Sequence, residues 1–333
     1  MYQDRKALYQ ELENKRSSKV LVYVTGDRRG LETVIHQEVL DFFSEHLDSF
    51  GSSPKVSLLL YSRGGNTLAG WSIVNLIRQY CKSFEVIVPS KAHSTATLIC
   101  LGADNVVMTK QATLGPIDPS VNGPLNPPIP GQGTATLPVS VEDVAGFMDL
   151  ARKELHVKGQ AELLGLMTKL AEKVHPLVLG NVYRSRAQIQ MLAEKLLAFH
   201  WNGPQRKKRR IISVLCTEAG SHDYTISRRE ARDDLGLKIE TPSMELYELI
   251  NKIYQNIRDE LELLNPFNLN TVLGANQNVS YSFRQALVES LTGGSHYFAT
   301  EGALSRVAMP PQQGGQIPFQ NQVSFAGWRY DKP

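Results

Sequence analysis

The stretch KVSLLLYSRGGNTLAGWSIVNLIRQY, residues 55–80, limits what this chain can fold into more than any other. Residues 55–62 form a nearly unbroken apolar run, as expected of a strand covered on both faces in a parallel sheet. Two adjacent glycines follow, and then a helical segment in which Leu68, Trp71, Ile73, Val74 and Ile77 share an inner side. The flanking segments repeat the alternation. KVLVYVT (19–25), FEVIVP (84–89) and NVVMT (105–109) read as strands, and 31–50 and 94–103 read as helices. Strands and helices in turn imply a right-handed βαβ stack, so the fold class expected is α/β.

Beyond this core the character changes. Residues 115–138 carry seven prolines and predict a long surface loop. Helical patterns then dominate over 141–155, 160–174, 182–200, 208–218, 226–235 and 242–264, giving a largely helical C-terminal half. Residues 298–333, rich in Gly, Gln and Pro, read as a tail over the surface. The expected division is an α/β core over 1–138, a packing and oligomerising helical region over 139–265, and a C-terminal extension over 266–333.

In an open α/β sheet, ligands gather at the carboxyl ends of the strands. The SRGG turn falls at such an end, and paired glycines let backbone amides approach a ligand closely. The next strand delivers PSKAHS to the start of a helix at Ser94. A serine there, facing the N–H groups of Gly64, Gly65 and Thr95, has the makings of a nucleophile beside an oxyanion hole. Serine is also a common helix cap, and paired glycines also make plain turns. Because both features fall at one sheet edge in consecutive βα units, they strengthen each other. A nucleotide reading is poorer, since neither GxGxxG nor a Walker lysine–serine pair is present.

Composition sets the outer limits. A net charge of +3 is too mild to imply nucleic acid, and the run QRKKRR (205–210) reads as a solvated turn. Three cysteines without metal-type spacing suit a reducing, cytoplasmic setting without a zinc site. Apolar runs fall short of the ~20 residues needed to span a membrane. No cofactor is implied.

LYSRGGN followed by AHSTATLICLGAD resembles the Clp protease proteolytic subunit and signal peptide peptidase A group of the ClpP/crotonase superfamily. ATLGPIDPS (112–120), HPLVLGNVYRS (175–185) and SHDYTISRREARDDLGL (221–237) extend the likeness to the serine dehydrogenase proteinase (SDH) family. The resemblance implies a ClpP/crotonase-like core and serine-type peptidase activity on a peptide or protein substrate, through an acyl-enzyme on Ser94. It also implies assembly of several copies, with an unfoldase or operon partner as an open question. One departure stands out. Where the Clp pattern places its histidine this chain reads LGPIDP, so the base is left open among Asp118, Lys153, His175 and His222. That gap keeps two other readings in play: a scaffold that has lost its chemistry, and a crotonase-type acyl-CoA enzyme using the same paired amides.

Overall fold

The computed structural model describes residues 1–118, 120–131, 133–218, 223–307 and 319–333. Helix α1 (Tyr2–Arg16) leads into β1 (Lys19–Thr25), α2 (Val39–Phe50), β2 (Ser53–Tyr61), α3 (Thr67–Tyr80) and β3 (Cys81–Val88). Then come β4 (Lys91–Ala92), α4 (Thr95–Leu101), β5 (Asn105–Met108), β6 (Thr113–Leu114), β7 (Ser120–Val121) and β8 (Val139–Ser140). The helical stretch comprises α5 (Val141–Asp149), α6 (Gln160–Ala171), α7 (Pro176–Ala198) and α8 (Gln205–Ser213). A wide π-type turn extends α5 over Leu150–Glu154. Short β9 (Ile226–Ser227), α9 (Arg228–Asp233) and β10 (Ile239–Glu240) precede α10 (Met244–Glu260) and α11 (Leu269–Leu273). The chain closes with β11 (Asn278–Ser290), β12 (Gly294–Arg306) and β13 (Phe319–Asp331).

Eight strands form one mixed sheet in the order β10-β5-β3-β2-β1-β11-β12-β13. The half from β10 to β1 is parallel, and β11, β12 and β13 add on antiparallel. The period of two along a strand explains why the parallel strands are apolar throughout. Leu21 and Tyr23 pack with Phe43, Ile73 and Leu196 beneath α2, α3 and α7. Val20, Val22 and Val24 point the other way, onto α1 and α10, where they meet Tyr9, Leu12, Ile250 and Ile253. Helix α4 is buried along its whole length, at the centre of the first of these two layers.

Three expectations are corrected. The run 205–210, read as a solvated turn, opens helix α8, with Lys208 buried. The helix expected over 31–50 begins only at Val39. The preceding residues form a connection whose Ile35, fully buried, makes a parallel bridge to Gly65. The segment 298–333, read as a surface tail, instead contributes most of β12 and all of β13 to the sheet. Edge strand β13 is largely exposed, so it lacks the buried alternation by which a strand is recognised, and its identity comes from pairing with β12. Residues of the helical half also share the core of the parallel half: Ile189, Leu192, Ala193 and Leu196 of α7 lie in one cluster with α3 and α4. Among the described residues no helix is long and apolar enough to cross a membrane.

Candidate active site

Strands β2 and β3 both run out at the edge where the glycine turn and the start of α4 meet. Ser94 sits there in an unusual backbone conformation, φ 52° and ψ −116°. A non-glycine residue held at positive φ stores about 1–3 kcal/mol and persists only where its surroundings impose it. Ser94 occupies the N-cap position of α4, yet its side chain makes no capping hydrogen bond. The hydroxyl is therefore not spent on the helix end, which is the role a cap serine ordinarily fills.

Gly64 packs against it. A Cβ placed on Gly64, whose φ is +116°, would lie 2.6 Å from Ser94 Cβ and 3.1 Å from Ser94 Oγ. A Cβ on Gly65, at φ +146°, would lie 2.3 Å from the Ile35 carbonyl oxygen. Both glycines are required by contact and conformation together.

The amide hydrogens divide clearly. The Gly64 N–H, grouped with that of Gly65 in the sequence reading, donates to Ser62 Oγ at 3.0 Å and is occupied. The N–H groups of Gly65 and Thr95 reach no acceptor among the described residues. Thr95 is the first residue of α4, where helical N–H groups have no intrahelical partner. The Thr95 hydroxyl donates to the Gly65 carbonyl at 2.7 Å, tying the two segments together.

Ser94 and the glycine turn border a cleft of about 460 Å³ that is also lined by Val34, Arg63, Asn66, Leu68 and Asp118. Ser185, Gln188 and Ile189 of α7 contribute to its lining. Of the base candidates among the described residues, only Asp118 lines this cleft. It is buried, and Ser140 Oγ donates to its Oδ2 at 3.0 Å. His175 is an exposed cap of α7, accepting the Leu177 N–H on Nδ1 at 3.2 Å. Lys153 pairs with Asp149 at 2.7 Å on the exposed turn after α5. His222 lies outside the described residues. His93, next to Ser94 in sequence, turns its ring toward Thr113, with Nε2 2.9 Å from Oγ1.

Nearby carboxylates are tuned by their neighbours. Burial pushes the Glu142 carboxyl above its usual value, opposed by Arg186 and reinforced by the charge of Asp118. Burial would also raise Asp27, but Lys91 and Tyr61, which donate to it at 2.6 Å each, and the charge of Arg63 hold it below its usual value. Asp27, just after β1, thereby ties the end of β2 to β4. Among the described residues no three metal-ligating side chains cluster.

Sequence reasoning did not single out Ser62, Ile35, Ser185 or Gln188. Ser185 lies in a quoted block of the resemblance, but its nearness to Ser94 depends on α7 folding back over α4, which no local pattern encodes.

Comparison with known proteins agrees with the resemblance. Residues 1–131, the segment that supplies Gly64, Gly65, Ser94, Thr95 and Asp118, match the family described as ClpP-like SDH-type serine proteinase. An uncharacterized protein of Methanocaldococcus jannaschii, MJ0137, is 27% identical over 76% of this chain and 80% of its own length. A second from the same organism, MJ1495, is 28% identical over 33% of this chain and 40% of its own length. Two solved structures are similar at lower identity. A point mutant of the 1510-N membrane-bound stomatin-specific protease shows 16% identity over 68% of this chain and 83% of that one, with a TM-score of 0.37. ClpP1 from Listeria monocytogenes shows 17% identity over 72% and 99%, with a TM-score of 0.36.

Proposed function

We propose that this protein is a serine peptidase that hydrolyses peptide bonds through an acyl-enzyme on Ser94. The observation that carries the reading is a serine held at positive φ, unspent on capping, with the N–H groups of Gly65 and Thr95 uncommitted among the described residues. Attack of Oγ on a peptide carbonyl places negative charge on its oxygen. In this reading the N–H groups of Gly65 and Thr95, which reach no acceptor among the described residues, receive that charge, each worth about 3 kcal/mol to the transition state. Gly64 contributes by its missing side chain rather than by its N–H.

A serine hydroxyl needs a group to take its proton. Asp118 is the candidate that the cleft retains, and we assign it that role, with Ser140 orienting its carboxylate. The Clp-like family match over the same residues supports a serine proteinase. Exposed apolar side chains on the α5–α7 region, among them Leu150, Leu155, Leu164, Met167 and Leu177, support assembly of several copies, since α6 buries none of its residues within one chain.

The test is labelling by a fluorophosphonate probe together with hydrolysis of a fluorogenic peptide library. Wild-type protein is expected to label and cleave, Ser94→Ala to do neither, and Asp118→Asn to lose about 10²-fold or more in kcat. Failure of correctly folded wild-type protein to label, or labelling that survives in Ser94→Ala, would overturn the assignment.

A further inference from the structure

The geometry points to Ser62 and Thr25 as positioning residues that fix the direction of the one amide that the glycine turn offers to the cleft. The inference rests on the peptidase reading above and adds residues to it that neither the sequence patterns nor the comparisons assign.

Three successive peptide groups meet at the turn, and of their three N–H groups two donate to protein acceptors. The Gly64 N–H donates to Ser62 Oγ at 3.0 Å. The Gly64 carbonyl accepts the Ile35 N–H at 2.8 Å, with the Ser62 hydroxyl 3.3 Å away as a second donor. The Gly65 carbonyl accepts the Thr95 hydroxyl at 2.7 Å, and the Asn66 N–H donates to the Ile35 carbonyl at 2.8 Å. Among the described residues the remaining N–H, that of Gly65, reaches no acceptor. Because a trans peptide is planar, its N–H and C=O point in opposite directions. Holding the Gly64 oxygen toward Ile35 and Ser62 therefore turns the Gly65 N–H away from them.

This restraint is needed because of the residues involved. Gly64 and Gly65 both lie at positive φ, where glycine moves among several wells at little cost. A rotation of the 64–65 peptide would exchange the N–H for a carbonyl oxygen. It would then set a partial negative charge where a developing anion must sit. Ser62 opposes that rotation from both sides, as acceptor for one peptide and donor to the next.

Ser62 is itself held in place. Its side chain is fully buried and accepts the Thr25 hydroxyl, at the end of β1, at 2.7 Å. Its backbone is fixed on the other side, with its N–H on the Lys91 carbonyl at 3.1 Å and its carbonyl on the His93 N–H at 3.0 Å. The relay thus runs from β1 through β2 to the residue preceding Ser94. Nothing in core packing asks for two hydroxyls here, where a Val–Ala pair would fill comparable space without polar atoms to satisfy.

The experiment compares wild type, Ser62→Ala, Thr25→Val and Thr25→Ser for peptide hydrolysis, fluorophosphonate labelling rate and inhibition by a peptide aldehyde, which forms an oxyanion. Ser62→Ala is expected to lower kcat on the order of 10²-fold with KM within about 2-fold, and to weaken the aldehyde by a similar factor. Thr25→Val should lose about 10-fold in kcat, and Thr25→Ser should recover to within about 2-fold of wild type. Wild-type kcat in Ser62→Ala, or a loss confined to KM with aldehyde affinity intact, overturns the inference. If Ser62→Ala does not fold, the Thr25→Val and Thr25→Ser pair decides by the same readouts. Absence of labelling in wild type would instead remove the peptidase reading itself, so the two failures are distinct.

Discussion

The sheet has two halves built on different physics. From β10 to β1 the strands are parallel, buried on both faces and joined through helices. From β11 to β13 they are antiparallel, each paired with the next, and end in an exposed edge. The parallel half must send each strand end into a crossover, and those ends are where backbone amides come free beside a helix start. The antiparallel half instead builds three 13-residue strands whose backbone groups meet one another along the β11–β12 and β12–β13 ladders. Two glycines, one from each half, differ in what surrounds them. In the parallel half Gly64 touches Ser94, whereas in the antiparallel half a Cβ on Gly327 would meet only the ring tip of Phe325, at 3.3 Å.

The sharpest way to break this contrast is to add one methyl group to each half. Gly64→Ala is expected to lower kcat by at least about 10²-fold, because Ser94 must move. Gly327→Ala should leave activity unchanged and stability within about 0.5 kcal/mol. Peptide turnover and urea unfolding measured side by side decide it.

The junction between the halves is the next target. Arg5 of α1 is fully buried and forms an ion pair with Glu289 of β11 at 2.5 Å, while its other arm reaches Glu260 of α10 at 2.5 Å. Tyr9 also donates to Glu289. Arg5→Met would strand buried carboxylates and is expected to cost about 3–5 kcal/mol in urea unfolding. A loss below about 1 kcal/mol would mean that the two halves are held together by apolar packing alone.

Acid should weaken the antiparallel half through His46. Burial, reinforced by the neighbouring His296, lowers its pKa from 6.5 to about 3. Its Nδ1 lies 2.8 Å from Ser290 Oγ and its Nε2 3.2 Å from His296 Nδ1. Below pH 6.5 the unfolded chain binds a proton that the folded chain refuses, so stability falls with pH, by about 1.4 kcal/mol per unit, down to about pH 3. Unfolding free energies at pH 6 and pH 5 should differ by about that amount more in wild type than in His46→Leu. Equal slopes would dismiss the histidine.

The smallest effect is expected at Lys153. Its pair with Asp149 is exposed, so Lys153→Ala should change stability by less than about 0.5 kcal/mol and leave peptide turnover untouched. A collapse of turnover would move the base from Asp118 to this lysine.

By itself the sequence determined the parallel half and the two segments that meet at the site. Continuous apolar runs at 19–25 and 55–62 can be satisfied only with helices on both faces, and paired glycines followed by an N-cap serine are local signals with local causes. Tertiary structure alone decided which amides remained free. The Gly64 N–H is taken by Ser62, and Ser62 is held by Thr25, 37 residues away. It also decided that Asp118, rather than His175 or Lys153, stands in the cleft with Ser94. The strand character of 319–331 came from pairing as well, because an exposed edge strand has no burial pattern to announce it. Patterns of burial and turn geometry are carried by neighbours in the chain, whereas the direction of a single N–H is set by partners that only folding brings within about 3 Å.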